Sequence, residues 1–237
     1  MTEYHKIETL YERDEKTHKL KEPLALKNPV YGIIKTFEWH EKVDGTNIRV
    51  AWNHVEKKTE FGGRTDNAQI DSQLYKWMAD TFTPAKLEAV FPDADAVLYG
   101  EGCGAGIQKG GIYSPTKIVV LFDVLVITSP DAPNANTKWW LSRENVLDVA
   151  SKLGVTTAPY VGEMTLDEAT DMVREGFNTR LGAGEGQAEG LIGRPVEALF
   201  DKKGARIIVK LKTKDFAPRK RMDGSKDQLV APAVEVS

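Results

Sequence analysis

Strand-forming runs constrain this chain more than any other feature. Residues 37–52, 95–102, 117–127, 189–195 and 205–212 are rich in β-branched and aromatic side chains and are bounded by glycine, proline or polar clusters. Three segments with helical period lie between them. Residues 70–82 place Ile70, Leu74, Trp77 and Met78 on one face. Residues 141–154 open at Ser142 and stop at Gly154, and residues 165–176 open at Thr165, followed by Asp167 and Glu168, and stop at Gly176. Strands dominate the middle and the end, helices are inserted between them and no repeat period exists, so the expected fold is α+β with a largely antiparallel sheet. A chain of 237 residues that is 41% hydrophobic buries a substantial core. The expected layout is one domain over residues 1–216 and a basic tail over 217–237, where Arg219, Lys220 and Arg221 cluster.

Charge and cysteine usage exclude several classes of function. No stretch approaches the ~20 apolar residues of a membrane span, and the charged amino terminus does not read as a secretory signal, so no membrane partner and a cytoplasmic location are expected. Cys103 is the only cysteine, which excludes an internal disulfide, and the four histidines have no zinc spacing. Any metal is therefore expected on oxygen ligands. The formal charge of −3 does not announce a nucleic-acid binder. Residues 202–224 are nonetheless rich in lysine and arginine, which suits either a solvated charged face or a footprint for phosphates.

The stretch EWHEKVDGTNIRV, residues 38–50, carries the most chemistry. If it is extended throughout, Lys42, Asp44 and Thr46 share one face. A lysine at an ordinary pKa of about 10.4 is protonated at neutral pH and cannot attack phosphorus, so a nucleophilic Lys42 needs burial or nearby positive charge. Lys210 and Lys212 alternate in IIVKLK and supply two ammonium groups to one strand face, where they also suit a developing phosphate charge. The same pattern fits an edge strand defended by lysines. Glu101 and Glu189 each border an apolar strand and precede a glycine, which permits close approach of backbone or ligand. Two glycine-rich stretches carry less. Residues 100–111 lack the G-x-G-x-x-G spacing of a dinucleotide loop, and residues 181–190 lack the Gly-Lys-Ser/Thr end of a phosphate loop, so the latter reads as a lid or connector.

The order Lys-x-Asp-Gly-x-Asn, FGGRT, LYGEG, VVLFDV, EGLIGRP and IIVKLK, from residue 41 to residue 212, resembles the covalent lysine nucleotidyltransferases, specifically the ATP-dependent RNA ligases. The resemblance implies a nucleotidyltransferase (ATP-grasp-like) fold. It also implies a lysyl-AMP on Lys42 made from ATP with magnesium or manganese, transfer of AMP to an RNA 5′-phosphate, and sealing by a 3′-hydroxyl. By the same resemblance Glu101 binds the ribose, Glu189 holds the metal and Phe122 stacks on adenine with Asp123 in support. Arg64 and Asn47 contact nucleotide and RNA, Lys210 and Lys212 contact phosphate, and Asp44 serves the later steps. Glu41 before the lysine, and Asn47 in place of arginine, point to RNA ligases over DNA ligases and capping enzymes. Asp44 stands where many phage-type and editing ligases carry histidine. A bacterial or phage-infected cell is the setting implied. A minimal DNA ligase or other polynucleotide adenylyltransferase, with DNA strands as partners, and a non-catalytic RNA-end-binding module remain alternatives. Few residues follow IIVKLK, so the grip on RNA is expected from the tail, a second copy of the chain or an accessory protein.

Overall fold

The computed structural model describes residues 2–129 and 137–217. The basic cluster at Arg219, Lys220 and Arg221 lies outside them. Two five-stranded sheets form the body. The first holds, in order, β1 (Glu8–Thr9), β10 (Val209–Lys212), β9 (Gly190–Pro195), β2 (Phe37–Glu41) and β8 (Tyr160–Met164). The second holds β4 (Lys58–Gly62), β3 (Thr46–Asn53), β5 (Ala94–Cys103), β6 (Ile118–Thr128) and β7 (Lys138–Trp140). Only the short β1–β10 pair is parallel among these strands, so the antiparallel α+β expectation holds. β10 lies between β1 and β9 and is not an edge, which removes the edge-defence reading of its lysines.

Each sheet buries one face under helices. In the second sheet Ile48, Val50, Trp52 and Val124 meet Leu74 and Met78 of α1 (Ser72–Thr81), Leu87 of α2 (Pro84–Val90) and Val146 of α3 (Arg143–Leu153). In the first, Phe37, Trp39, Leu191 and Val209 pack on Leu166, Ala169 and Val173 of α4 (Leu166–Glu175). Each fully buried large apolar side chain contributes on the order of 1.5–3 kcal/mol, so each core holds its helices firmly on their own sheet. The caps follow the sequence: Ser142 accepts from Asn145 N–H and Gly154 adopts φ 72° after α3, while Thr165 and Glu168 form a capping box on α4.

The expected single strand over 37–52 is two strands in different sheets. Lys42 N–H still donates to Gly190 O, so β2 pairing persists to the lysine, and the chain then crosses over through Val43, Asp44 and Gly45. Gly45 makes the crossing possible, because a Cβ there would lie 2.2 Å from Gly102 O. Thr46 is exposed and begins the other sheet, so it does not share a working face with Lys42. Helix α2 and strands β1, β4, β7 and β8 are additions to the sequence reading, and the 205–212 run forms a strand only from Val209.

Candidate active site

The uncovered faces of the two sheets meet across a cavity of about 230 Å³. From the first sheet the register places His40, Ile192 and Lys210 side by side in one row. One step along, Lys42 pairs through its N–H with Gly190, which sits opposite Lys212, so both motif lysines share the nucleophile candidate's face. From the second sheet Asn47, Glu101 and Val120 form the facing row. A bulge in the β5–β6 ladder, where Tyr99 meets Asp123 and Gly100 meets Leu121, leaves Phe122 as the extra residue, and Phe122 lines the cavity. Arg64 reaches the same cavity from the turn after β4. That turn is fixed from below by Arg49, which is fully buried and donates to Gly63 O at 2.7 Å and to Asp66 at 2.9 Å.

At one side of the cavity Glu189 joins two amines. Its carboxylate accepts from Lys42 Nζ at 2.5 Å and from Lys212 Nζ at 2.6 Å. Burial opposes ionisation of Glu189, but the two lysines outweigh it and hold the carboxyl below its ordinary range. Glu101 differs. Burial pushes it up to about 7, with Glu189 and Asp44 adding to the rise, while Lys42 and a hydrogen bond from Gly45 N–H oppose it. The strongest depression of a lysine falls on Lys210, lowered to about 8 by burial and then by Lys212, Lys42, Lys6 and Arg13. The sequence reading places the nucleophile at Lys42, whose Nζ donates to Glu189.

Of the ten site residues expected from sequence, Glu41, Lys42, Asn47, Arg64, Glu101, Phe122 and Lys210 line the cavity, and Glu189 and Lys212 join it through Lys42. Asp44 sits in the crossover, its N–H donating to the buried Tyr113 hydroxyl at 3.0 Å. Glu41 is 1% exposed, and its carboxylate accepts from Thr179 Oγ1 at 2.5 Å and Arg180 N–H at 2.8 Å. Its side chain therefore anchors the 178–187 loop behind the lysine. That loop is a connector closed by an Asn178–Gln187 bridge, and Gly182 and Gly186 pack on Ile112 and Tyr113. The glycine after Glu189 admits a strand and not a ligand: a Cβ at Gly190 would lie 2.0 Å from Leu211 O.

The sequence reading misses Tyr4, His5, Lys6 and Ile7, together with His40, Arg143 and Arg194, all of which line the cavity. Arg194 stands in the quoted EGLIGRP, but at the odd offset of five from Glu189 alternation counted from that acid points it the other way; it shares the cavity face with Ile192, two residues before it. His40 lies 3.1 Å from Glu38 without hydrogen-bond alignment, and burial, then Arg143 and Arg194, push it down to about 3, so it is a neutral wall residue and not half of an ion pair.

A divalent cation here would need oxygen ligands. Among the described residues no three acidic, histidine or cysteine side chains form a metal cluster. Glu189, with Glu101 within electrostatic reach, offers the one or two carboxylates that magnesium or manganese takes when phosphate and water complete its shell. The donor set fits a cation that arrives with a nucleotide, which would neutralise phosphate charge.

An antiparallel two-sheet body with a lysine on the strand facing a mixed carboxylate and cation cavity defines a nucleotidyltransferase class. The sequence model of the RNA ligase family matches residues 35–212, and the chain belongs to that family. None of the curated proteins matches it. The fold is similar to Naegleria gruberi RNA ligase with pyrophosphate, at TM-score 0.58 and 15% identity, over 89% of this chain and 60% of that one. It is also similar to a lysine-to-alanine mutant of that ligase with ATP and manganese, at TM-score 0.57 and 14% identity, over 79% of this chain and 53% of that one. The chain thus spans little more than half the length of these relatives, and at such identities the likeness concerns the fold.

Proposed function

We propose that the protein is an ATP-dependent RNA ligase that works through an adenylate on Lys42. The observation that carries this reading is the placement of Lys42 beside Glu189 and Lys212, with Lys210 in the adjacent row of the same sheet face. In the first step Lys42 gives up a proton and its Nζ attacks the α-phosphorus. An N–P bond forms, the bond to the bridging oxygen breaks, and pyrophosphate leaves with the electron pair. Lys210 and Lys212 neutralise the charge that develops on phosphate oxygens. An oxygen of one RNA end's 5′-phosphate then attacks the adenylate phosphorus and displaces the lysine, and the 3′-hydroxyl of the other end, giving up its proton, attacks the phosphorus of that RNA 5′-phosphate and AMP leaves. Phe122 and Ile192 face the cavity from opposite sheets and suit the two faces of a purine, while Glu101 and Asn47 suit the ribose hydroxyls.

Support for RNA comes from the family and from Arg64, an exposed cation at the cavity with no acidic partner among the described residues. The relatives carrying ATP, AMP or pyrophosphate, several of them with manganese, support the cofactor assignment. The test is sealing of labelled 5′-phosphorylated strands in RNA nicks, DNA nicks and free single strands, with ATP and magnesium. Joining of RNA ends with release of AMP is expected. Joining confined to all-DNA nicks would make it a DNA ligase, and binding of RNA ends without joining would leave only a recognition module.

A further inference from the structure

The amino-terminal segment contributes a cation that none of the motifs contains. Residues 4–7 run along the cavity wall before β1 begins. Both ends of this strap are pinned. Tyr99 donates its hydroxyl to Thr2 O at 3.0 Å, and Tyr4 donates to Asp123 at 2.7 Å with its ring edge-on to Phe122. The His5 ring stacks on Tyr4 at 4.5 Å. At the other end Glu8 and Thr9 pair in parallel with Val209 and Lys210, and Leu10 N–H donates to Lys210 O. Between the two anchors Lys6 is exposed at the cavity.

The cations around this cavity fall into two groups. Arg143 donates to Thr157 and Ala158 O, Arg194 donates to Asp123, and Lys42 donates to Glu189, so these charges are already engaged. Lys6, Arg64 and Lys210 line the cavity with no carboxylate partner among the described residues. Arg64 and Lys210 are motif residues with expected phosphate roles. Lys6 is the third member of the set, and it is near enough to Lys210 to oppose its protonation. Lys6 and Lys210 repel one another at a cavity that Arg64 also lines, so a shared anion stabilises the set, and a pinned backbone aims a flexible ammonium at little extra ordering cost.

We propose that Lys6 is a further phosphate-binding residue, delivered by the anchored amino-terminal strap to the phosphate that meets the Lys42 adenylate. The inference rests on the adenylyltransferase reading of the site. Two phosphates share the required chemistry, the pyrophosphate portion of the nucleotide and the 5′-phosphate of an RNA end. Calorimetric titration of inorganic pyrophosphate, and separately of a 5′-phosphorylated oligoribonucleotide, into the parent, Lys6→Ala and Lys6→Arg proteins distinguishes them. Loss of one charge-assisted contact should weaken at least one ligand by roughly tenfold in Lys6→Ala, and Lys6→Arg should restore it. The affected ligand identifies the source. Unchanged affinity for both ligands in Lys6→Ala would overturn the proposal, as would a loss that Lys6→Arg fails to restore. Adduct formation with ATP, measured on the same parent protein, reports separately on the adenylyltransferase reading, so either idea can fail alone.

Discussion

Two carboxylates lie near the same cavity, and each holds two cations, yet they are built for different work. Asp123 is fully buried and accepts from Arg206 at 2.6 Å, Arg194 at 3.1 Å and the Tyr4 hydroxyl at 2.7 Å. The Arg206 guanidinium also stacks over Trp140 at 3.8 Å. Glu189 is half-buried and holds two lysines. Arginine stays protonated and its planar fork fixes geometry, whereas lysine is a point charge on a flexible stem that can release its partner and lose its proton. The arginine node therefore braces β6, β9 and the amino-terminal strap, while the lysine node can open. On the proposed function, Lys42 must be free of its proton before attack, and the flexible lysine node leaves room for that change where the arginine node does not.

The comparison breaks most completely at the nucleophile. Lys42→Arg keeps the charge beside Glu189 but has no nucleophilic amine, so adduct formation should vanish while thermal unfolding stays close to the parent. Detectable adduct in that variant would mean another residue carries the adenylate. Next in size, Lys210→Ala and Lys212→Ala should each slow adenylylation by about 10²-fold through lost charge stabilisation, a loss read from single-turnover rates at saturating ATP. Parent-like rates in both would remove their phosphate role.

Asp123→Asn tests the other node. Two guanidinium groups lose their buried counter-charge, and the expected cost is about 3 kcal/mol in urea unfolding, with a far smaller effect on the adenylylation rate of the folded protein than either lysine variant shows. A large rate loss at unchanged stability would make Asp123 a working group and dissolve the distinction. The smallest effect concerns Glu101. Its folded carboxyl titrates at about 7, above the ordinary 4.5, so the folded state keeps a proton that the unfolded state releases. Stability from this group is full below 4.5 and is lost as pH rises to about 7. Glu101→Gln has no such proton to lose. Relative to the parent it should gain about 1–2 kcal/mol between pH 4 and pH 8, less than the full shift implies because cavity water solvates the group. An identical stability difference at both pH values would contradict the assignment.

Much of the lysine node is legible in the sequence, and little of the arginine node is. Lys42, Lys210 and Lys212 stand in short motifs whose period-2 alternation fixes their common face once the strands pair, whereas Glu189 lies just before β9, one residue out of step with Gly190, and its contact with two of those lysines is not fixed by alternation. Asp123 stands out only as an acid in an apolar run, and its partners lie 119, 71 and 83 residues away in sequence. Such contacts are set by the packing of the two sheets. The break between β2 and β3 is hidden for a similar reason, since local preference favours extended chain throughout residues 37–52 and only the second sheet requires the crossover at Gly45. The helix caps at Ser142 and Thr165 are local, and the sequence reading finds them.

The central claim is that the lysine held by Glu189 is the one that becomes adenylated. Intact-mass analysis of the protein after incubation with ATP and magnesium, followed by peptide mapping, tests it directly. The account expects one AMP per chain, bound through an acid-labile phosphoramide on Lys42. An unmodified mass, or an adenylate mapped to Lys210, Lys212 or any other residue, would contradict it.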